Sequence, residues 1–171
     1  MSQTLSELAN EIRCRFESTP PPSAPNWLEE GSEAWEDTRE LWGRSWSQIE
    51  LRSFEEHMEC FAFLGVENFN HFFGALMFHS LLSENFDVSA LDLLTTGLSD
   101  IKNPWSDKSL SSIGERLICD LRNGMSDEQV LLIEEYFDCR AEYICEADNA
   151  HGLGFVRSLK HRNGAPDQSP S

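Results

Sequence analysis

The sequence predicts a mainly α-helical, compact domain of about five to six helices built around one phenylalanine-rich central helix. Three observations predict it. Six phenylalanines fall between Phe61 and Phe78, and only Glu67 is charged between Phe61 and Leu82. Such a run must be buried against other elements. Segments of helical periodicity recur on either side of it, and three helix starts (Thr4, Ser53 and Ser126) have Glu or Gln three residues on, the pattern that satisfies orphan amides at a helix start. Hydrophobic residues make up 40% of the 171-residue chain and aromatics 11%, enough for a sizeable core in one domain.

In chain order, Thr4-Leu5-Ser6-Glu7 opens an amphipathic helix over 4–17, with Leu5, Leu8, Ile12 and Phe16 as its apolar stripe. The prolines at 20, 21, 22 and 25 stop it, because proline lacks the amide and restricts its predecessor. Residues 18–31 read as a stiff connector within a single domain spanning 1–150. Ser32 caps a short helix over 32–43, and Trp46 and Ile49 continue its inward side through a turn. The central stretch reads as two helices. One runs from about Phe54, capped by Ser53 with Glu56, to Leu64, with Gly65 just past its end. The other runs from Glu67 or Asn68 to Leu82 and presents Phe69, Phe72, Phe73, Leu76, Met77, Ser80 and Leu81 on one face. It falls short of the roughly twenty apolar residues that span a bilayer. Gly74 inside it implies close approach of another helix or a kink.

Beyond it, 87–94 fits a short helix or strand, and 99–112 reads as loop. Residues 114–121 are ambiguous. Ser126-Asp127-Glu128-Gln129 opens the last helix, whose face is Val130, Ile133, Phe137, Ala141 or Arg140, and Ile144. From His151 glycine, asparagine, proline and serine increase, so 151–171 reads as a flexible tail, disordered from Gly164.

Charge narrows the function classes. The formal net charge is −17, and because 151–171 carries three basic residues and one acidic, residues 1–150 hold 10 basic and 29 acidic residues. Phosphate contacts need Lys and Arg, so this opposes nucleic acid; it equally opposes anionic membranes. It suits a basic protein partner. The densest acidic run is Glu29, Glu30, Glu33, Glu36, Asp37 and Glu40, with Arg39 the one base among them. It reads either as a docking face with Trp27, Trp35 and Trp42 as anchors, or as a solvated face with the tryptophans packed inward. The five cysteines, at 14, 60, 119, 139 and 145, form no Cys-x-x-Cys and read as reduced thiols. The N-terminus has no basic and apolar leader. The expected compartment is the cytoplasm.

No catalytic constellation is visible: no phosphate loop, no Gly-x-Ser-x-Gly and no dinucleotide fingerprint. No cofactor is implied. Glu67 and His71 stand at i and i+4, with His57, Glu59 and Cys60 nearby, so a metal site or enzyme near His57, Glu67 and His71 is the alternative. A zinc site needs three or four convergent ligands, and His57-Met58-Glu59 lacks the Pro-Cys-x-x-Cys of the deaminases. Cys60 with His57 has neither an orienting third group nor an oxyanion site. A backbone hydrogen bond is the plainer role for His71.

Cys60-Phe61-Ala62-Phe63-Leu64, Asn68-Phe69-Asn70-His71-Phe72-Phe73-Gly74-Ala75-Leu76-Met77 and Met125-Ser126-Asp127-Glu128-Gln129 together resemble a bacterial family of small proteins known as a domain of unknown function. Its pattern has an aromatic-Leu helix end, a Gly-Phe-x-Tyr-Tyr-Leu-Pro-Ala-aromatic-Leu segment and a late Leu-Ser/Thr-x-Glu-Gln helix start. The resemblance covers roughly residues 5–145. It implies the helical fold and no activity. Gly74 stands where the pattern has proline, and His71 and Phe72 stand for its tyrosines, which removes any role needing the phenol. The leading expectation is a non-enzymatic acidic interaction protein that binds a basic protein, as small immunity or antitoxin-like proteins do. A third is a helical subunit whose partner is its own copy.

Overall fold

The computed structural model describes residues 4–26, 28–56, 66–91, 120–144 and 146–160. All regular structure among them is helical, arranged as a compact mainly α domain around the phenylalanine-rich helix. Helix α1 spans Leu5–Phe16, α2 Glu33–Thr38 and α3 Leu51–Glu56; the central α4 spans Val66–Ser83, α5 Asp127–Arg140 and α6 Glu146–Lys160. A one-turn 3-10 helix, Trp46–Gln48, precedes α3. Helix α1 lies along α4, α3 touches α4, and α5 packs on α1 and α6.

Local chemistry starts three of these helices. The Thr4 hydroxyl accepts from Glu7 N while the Glu7 carboxylate accepts from Thr4 N. Those bonds from Thr4 hold the Glu7 carboxyl below its usual range. Ser126 and Gln129 repeat the reciprocal arrangement at α5, and Ser32 caps α2 by accepting from Trp35 N. Each such cap stabilises a helix start by about 1 kcal/mol.

The core face of α4 is as the spacing predicts. Phe69, Phe72, Phe73, Leu76, Met77, Ser80 and Leu81 are all buried, with Ala75 and Phe78 widening the face. Gly74 marks a crossing: a Cβ there would lie 2.4 Å from Phe16 Cβ and 2.8 Å from the Trp46 ring. Only a hydrogen lets α1 and the 3-10 turn sit this close.

Four expectations need correction. Helix α2 has six residues, not twelve. The Thr38 hydroxyl bonds Ala34 O and receives the Trp42 indole N–H, and Leu41 N turns back to Thr38 O; a tightened turn then leads to Gly43 at φ 69°. Ser53 is no cap, because α3 has already started at Leu51. Helix α5 ends at Arg140 and not at Ile144: Glu142 N bonds Cys139 O, and the amides of Tyr143 and Ile144 both return to Arg140 O, which closes a turn. Finally, 151–160 is no tail. It completes α6, burying Phe155, Val156 and Leu159 in the core. Asn149 reaches from α6 to the Phe137 carbonyl at 2.9 Å. A Gly152 Cβ would strike the Phe137 ring at 2.1 Å, so the glycine read as a loop signal is a packing requirement.

Candidate functional site

Helix α2 and the turns beside it carry the acidic run. Glu29, Glu30, Glu33 and Glu36 are exposed, and Asp37 and Glu40 half-buried. Glu36 pairs with Arg39 at 3.1 Å. Glu29, Glu30, Glu33 and Glu40 have no ion pair among the described residues. Beneath the run Leu28, Thr38 and Leu41 are buried. Trp42 meets Phe72 edge to face at 5.4 Å, so its ring belongs to the core. The run is thus a carboxylate surface over a buried base, without Trp42 as an exposed anchor, and Trp35 of the same helix is half-buried. Trp27 lies outside the described residues.

A second constellation surrounds Trp46, and the sequence did not reveal it. The Trp46 side chain is fully buried. Its indole N–H points at His71 Nε2 (3.1 Å), its carbonyl accepts from His79 Nε2 (2.8 Å), and its amide donates to Glu17 Oε1 (3.2 Å). Glu17 Oε2 accepts from Arg13 Nε at 2.7 Å, and the Arg13 guanidinium stands 5.7 Å over the Phe78 ring. The other ring nitrogen of His71, Nδ1, faces the Ser18 amide at 2.9 Å. The expected backbone bond of His71 is therefore present, and it fastens the proline connector to α4. A neutral imidazole has one lone pair, so it accepts from one donor at a time, and a change of tautomer swaps which. A proton added to the ring would meet N–H groups on both sides and no acceptor. Burial pushes His71 down from 6.5 to about 4, with Glu17 pulling weakly the other way. Burial lowers His79 too; its bond to the Trp46 carbonyl opposes this and Arg13 adds to it.

These contacts also bear on the metal reading. Both His71 nitrogens face donors inside the core, so a metal would have to break the Trp46 or Ser18 contact. His57, Glu59, Cys60 and the side chain of Glu67 lie outside the described residues. No group of three His, Cys, Asp or Glu able to hold a metal occurs among the described residues. Cys14 and Cys139 carry free thiols. No helix among the described residues is long and apolar enough to cross a membrane.

The Trp46 cluster joins residues 25, 29, 33 and 53 positions apart, and no local spacing rule reaches so far. It ties α1, the connector, the 3-10 turn and α4 into one unit. No protein-family model matches the chain, and no curated protein or solved structure matches it.

Proposed function

We propose that this chain is a non-enzymatic acidic interaction protein that binds a basic protein partner, in the manner of small immunity or antitoxin-like proteins. The observation that carries the reading is the run Glu29, Glu30, Glu33, Glu36, Asp37 and Glu40, presented over buried Leu28, Thr38 and Leu41 in a chain of net charge −17. A surface of carboxylates attracts a cationic partner. The Trp46 cluster supports it indirectly: the best-arranged polar groups of the core are bonded to one another and hold the frame.

Tagged protein in the native cell's lysate, at low and high salt, tests this. One basic protein retained near stoichiometry at low salt is the expected result. It should be lost near 1 M salt, where screening acts within about 3 Å, and weakened when Glu29, Glu30 and Glu33 become Gln. Retention indifferent to both salt and neutralisation would overturn the reading.

A further inference from the structure

We infer that the furrow between α1 and α5 is the groove in which the partner seats a basic amphipathic helix. The inference rests on the basic-partner reading and assigns it a second surface, away from the acidic run. The furrow has a volume of about 580 Å³ and is walled by Glu11, Cys14 and Arg15 of α1 and by Glu128, Leu131 and Glu135 of α5. On α5 these lie at i, i+3 and i+7, one continuous strip. The adjoining strip of the same helix, Leu132, Ile133, Tyr136 and Phe137, is spent on the core.

Leu131 is the exception. It is 52% exposed, one of three large hydrophobic side chains left so open among the described residues. Carboxylates flank it. The Arg15 charge is met by Glu128 at 3.0 Å, which leaves Glu11 and Glu135, without ion pairs among the described residues, to set the sign of the furrow. Gln129 Nε2 donates to the Arg15 carbonyl at 2.8 Å. With the Arg15–Glu128 pair, this clamps the end of α1 to the start of α5. Both contacts join the two walls at one end of the furrow.

An exposed leucine edged by carboxylates in a furrow between two helices fits a third helix that brings an apolar side chain to Leu131 and Lys or Arg alongside. In the acidic run Leu28 and Leu41 are buried and Trp42 packs on the core, which leaves half-buried Trp35 as its one large apolar side chain among the described residues that is not packed inward. The two surfaces then have separable roles. The run sets the rate of encounter, and the furrow sets the time of residence.

The probe is an 18-residue leucine–lysine peptide with helical amphipathic spacing, beside a scrambled peptide of equal composition. Association and dissociation rates are read by surface plasmon resonance at low salt. Leu131→Asp removes the apolar contact while adding negative charge. It should speed dissociation roughly tenfold, the size expected for one exposed apolar anchor, and leave association undiminished. Glu135→Gln should weaken binding in the same direction. Replacing Glu29, Glu30 and Glu33 by Gln should slow association instead. Unchanged dissociation from L131D, or equal binding of the scrambled peptide, overturns the groove. If the groove fails while the 29–33 neutralisation still slows association, the basic-partner reading stands alone. If neither peptide binds the wild-type chain at low salt, the groove falls, and the lysate experiment alone decides the basic-partner reading. Leu131 faces solvent, so an unchanged melting temperature shows that L131D is folded.

Discussion

A methyl group at Gly74 and one at Gly152 meet different obstacles, and the difference is measurable. At Gly74 the nearest atom is Phe16 Cβ, which any residue but glycine at 16 retains. Trimming the Phe16 ring does not move it, so α1 itself must shift. At Gly152 the obstacle is the far side of the Phe137 ring, at Cε1, Cδ1 and Cζ. Gly74→Ala should cost about 1–3 kcal/mol in chemical denaturation, the usual range for overpacking, and adding Phe16→Leu should not rescue it. Gly152→Ala should cost a similar amount, but in combination with Phe137→Ala the double variant should be more stable than the two single losses added together. Additivity at 152, or rescue at 74, would contradict these contacts. The sequence pointed to a close approach at Gly74 because an aromatic helix has little reason to hold a glycine. It misread Gly152, since a glycine among polar residues looks the same whether it loosens a chain or admits a ring.

Elements were legible where their causes are local. Thr4 with Glu7 and Ser126 with Gln129 act within one turn, and both caps are present as read. The buried face of α4 was legible because helical periodicity alone selects it. Ser53 shows the limit of the local rule: the pattern is satisfied on paper, but the helix begins two residues earlier. Helix α6 shows the larger one. Its residues have weak helix propensity, and tertiary burial of Phe155, Val156 and Leu159 overrides it. The acidic run was legible from composition, but which tryptophans lie under it was not. A chain ended at residue 150 removes those three core side chains together. Loss of even one such phenylalanine costs about 3–5 kcal/mol, a large part of a typical domain's stability. The truncated chain should therefore lose its cooperative thermal transition by circular dichroism. A shortened chain that melts as the full one does would make α6 dispensable.

For the whole molecule, pH sets two effects against each other. Lowering it from neutrality discharges carboxylates on a chain of net charge −17 and so relieves self-repulsion. His71 works the other way. Its folded value, about 4, lies below the ordinary 6.5, so between those values the unfolded chain takes up a proton that the folded one refuses. The contribution is fully present above about pH 6.5 and is lost as the pH falls toward 4; it amounts to about 3 kcal/mol at most. His79, lowered in the same direction, adds to the trend. Denaturation of the wild type should show stability falling over this window. His71→Asn, which keeps an acceptor but does not titrate there, should flatten the fall. An equal slope in both proteins would place the acid sensitivity elsewhere.

The enclosure of Trp46 makes that titration visible. An indole sealed from water emits toward the blue, and an imidazolium beside it drains its excited state. His71 is 3.1 Å from the indole nitrogen, so the arrival of one proton in the core should dim one tryptophan. The frame of this protein thus contains its own lamp, and the brightness of that lamp reports whether the connector is still fastened.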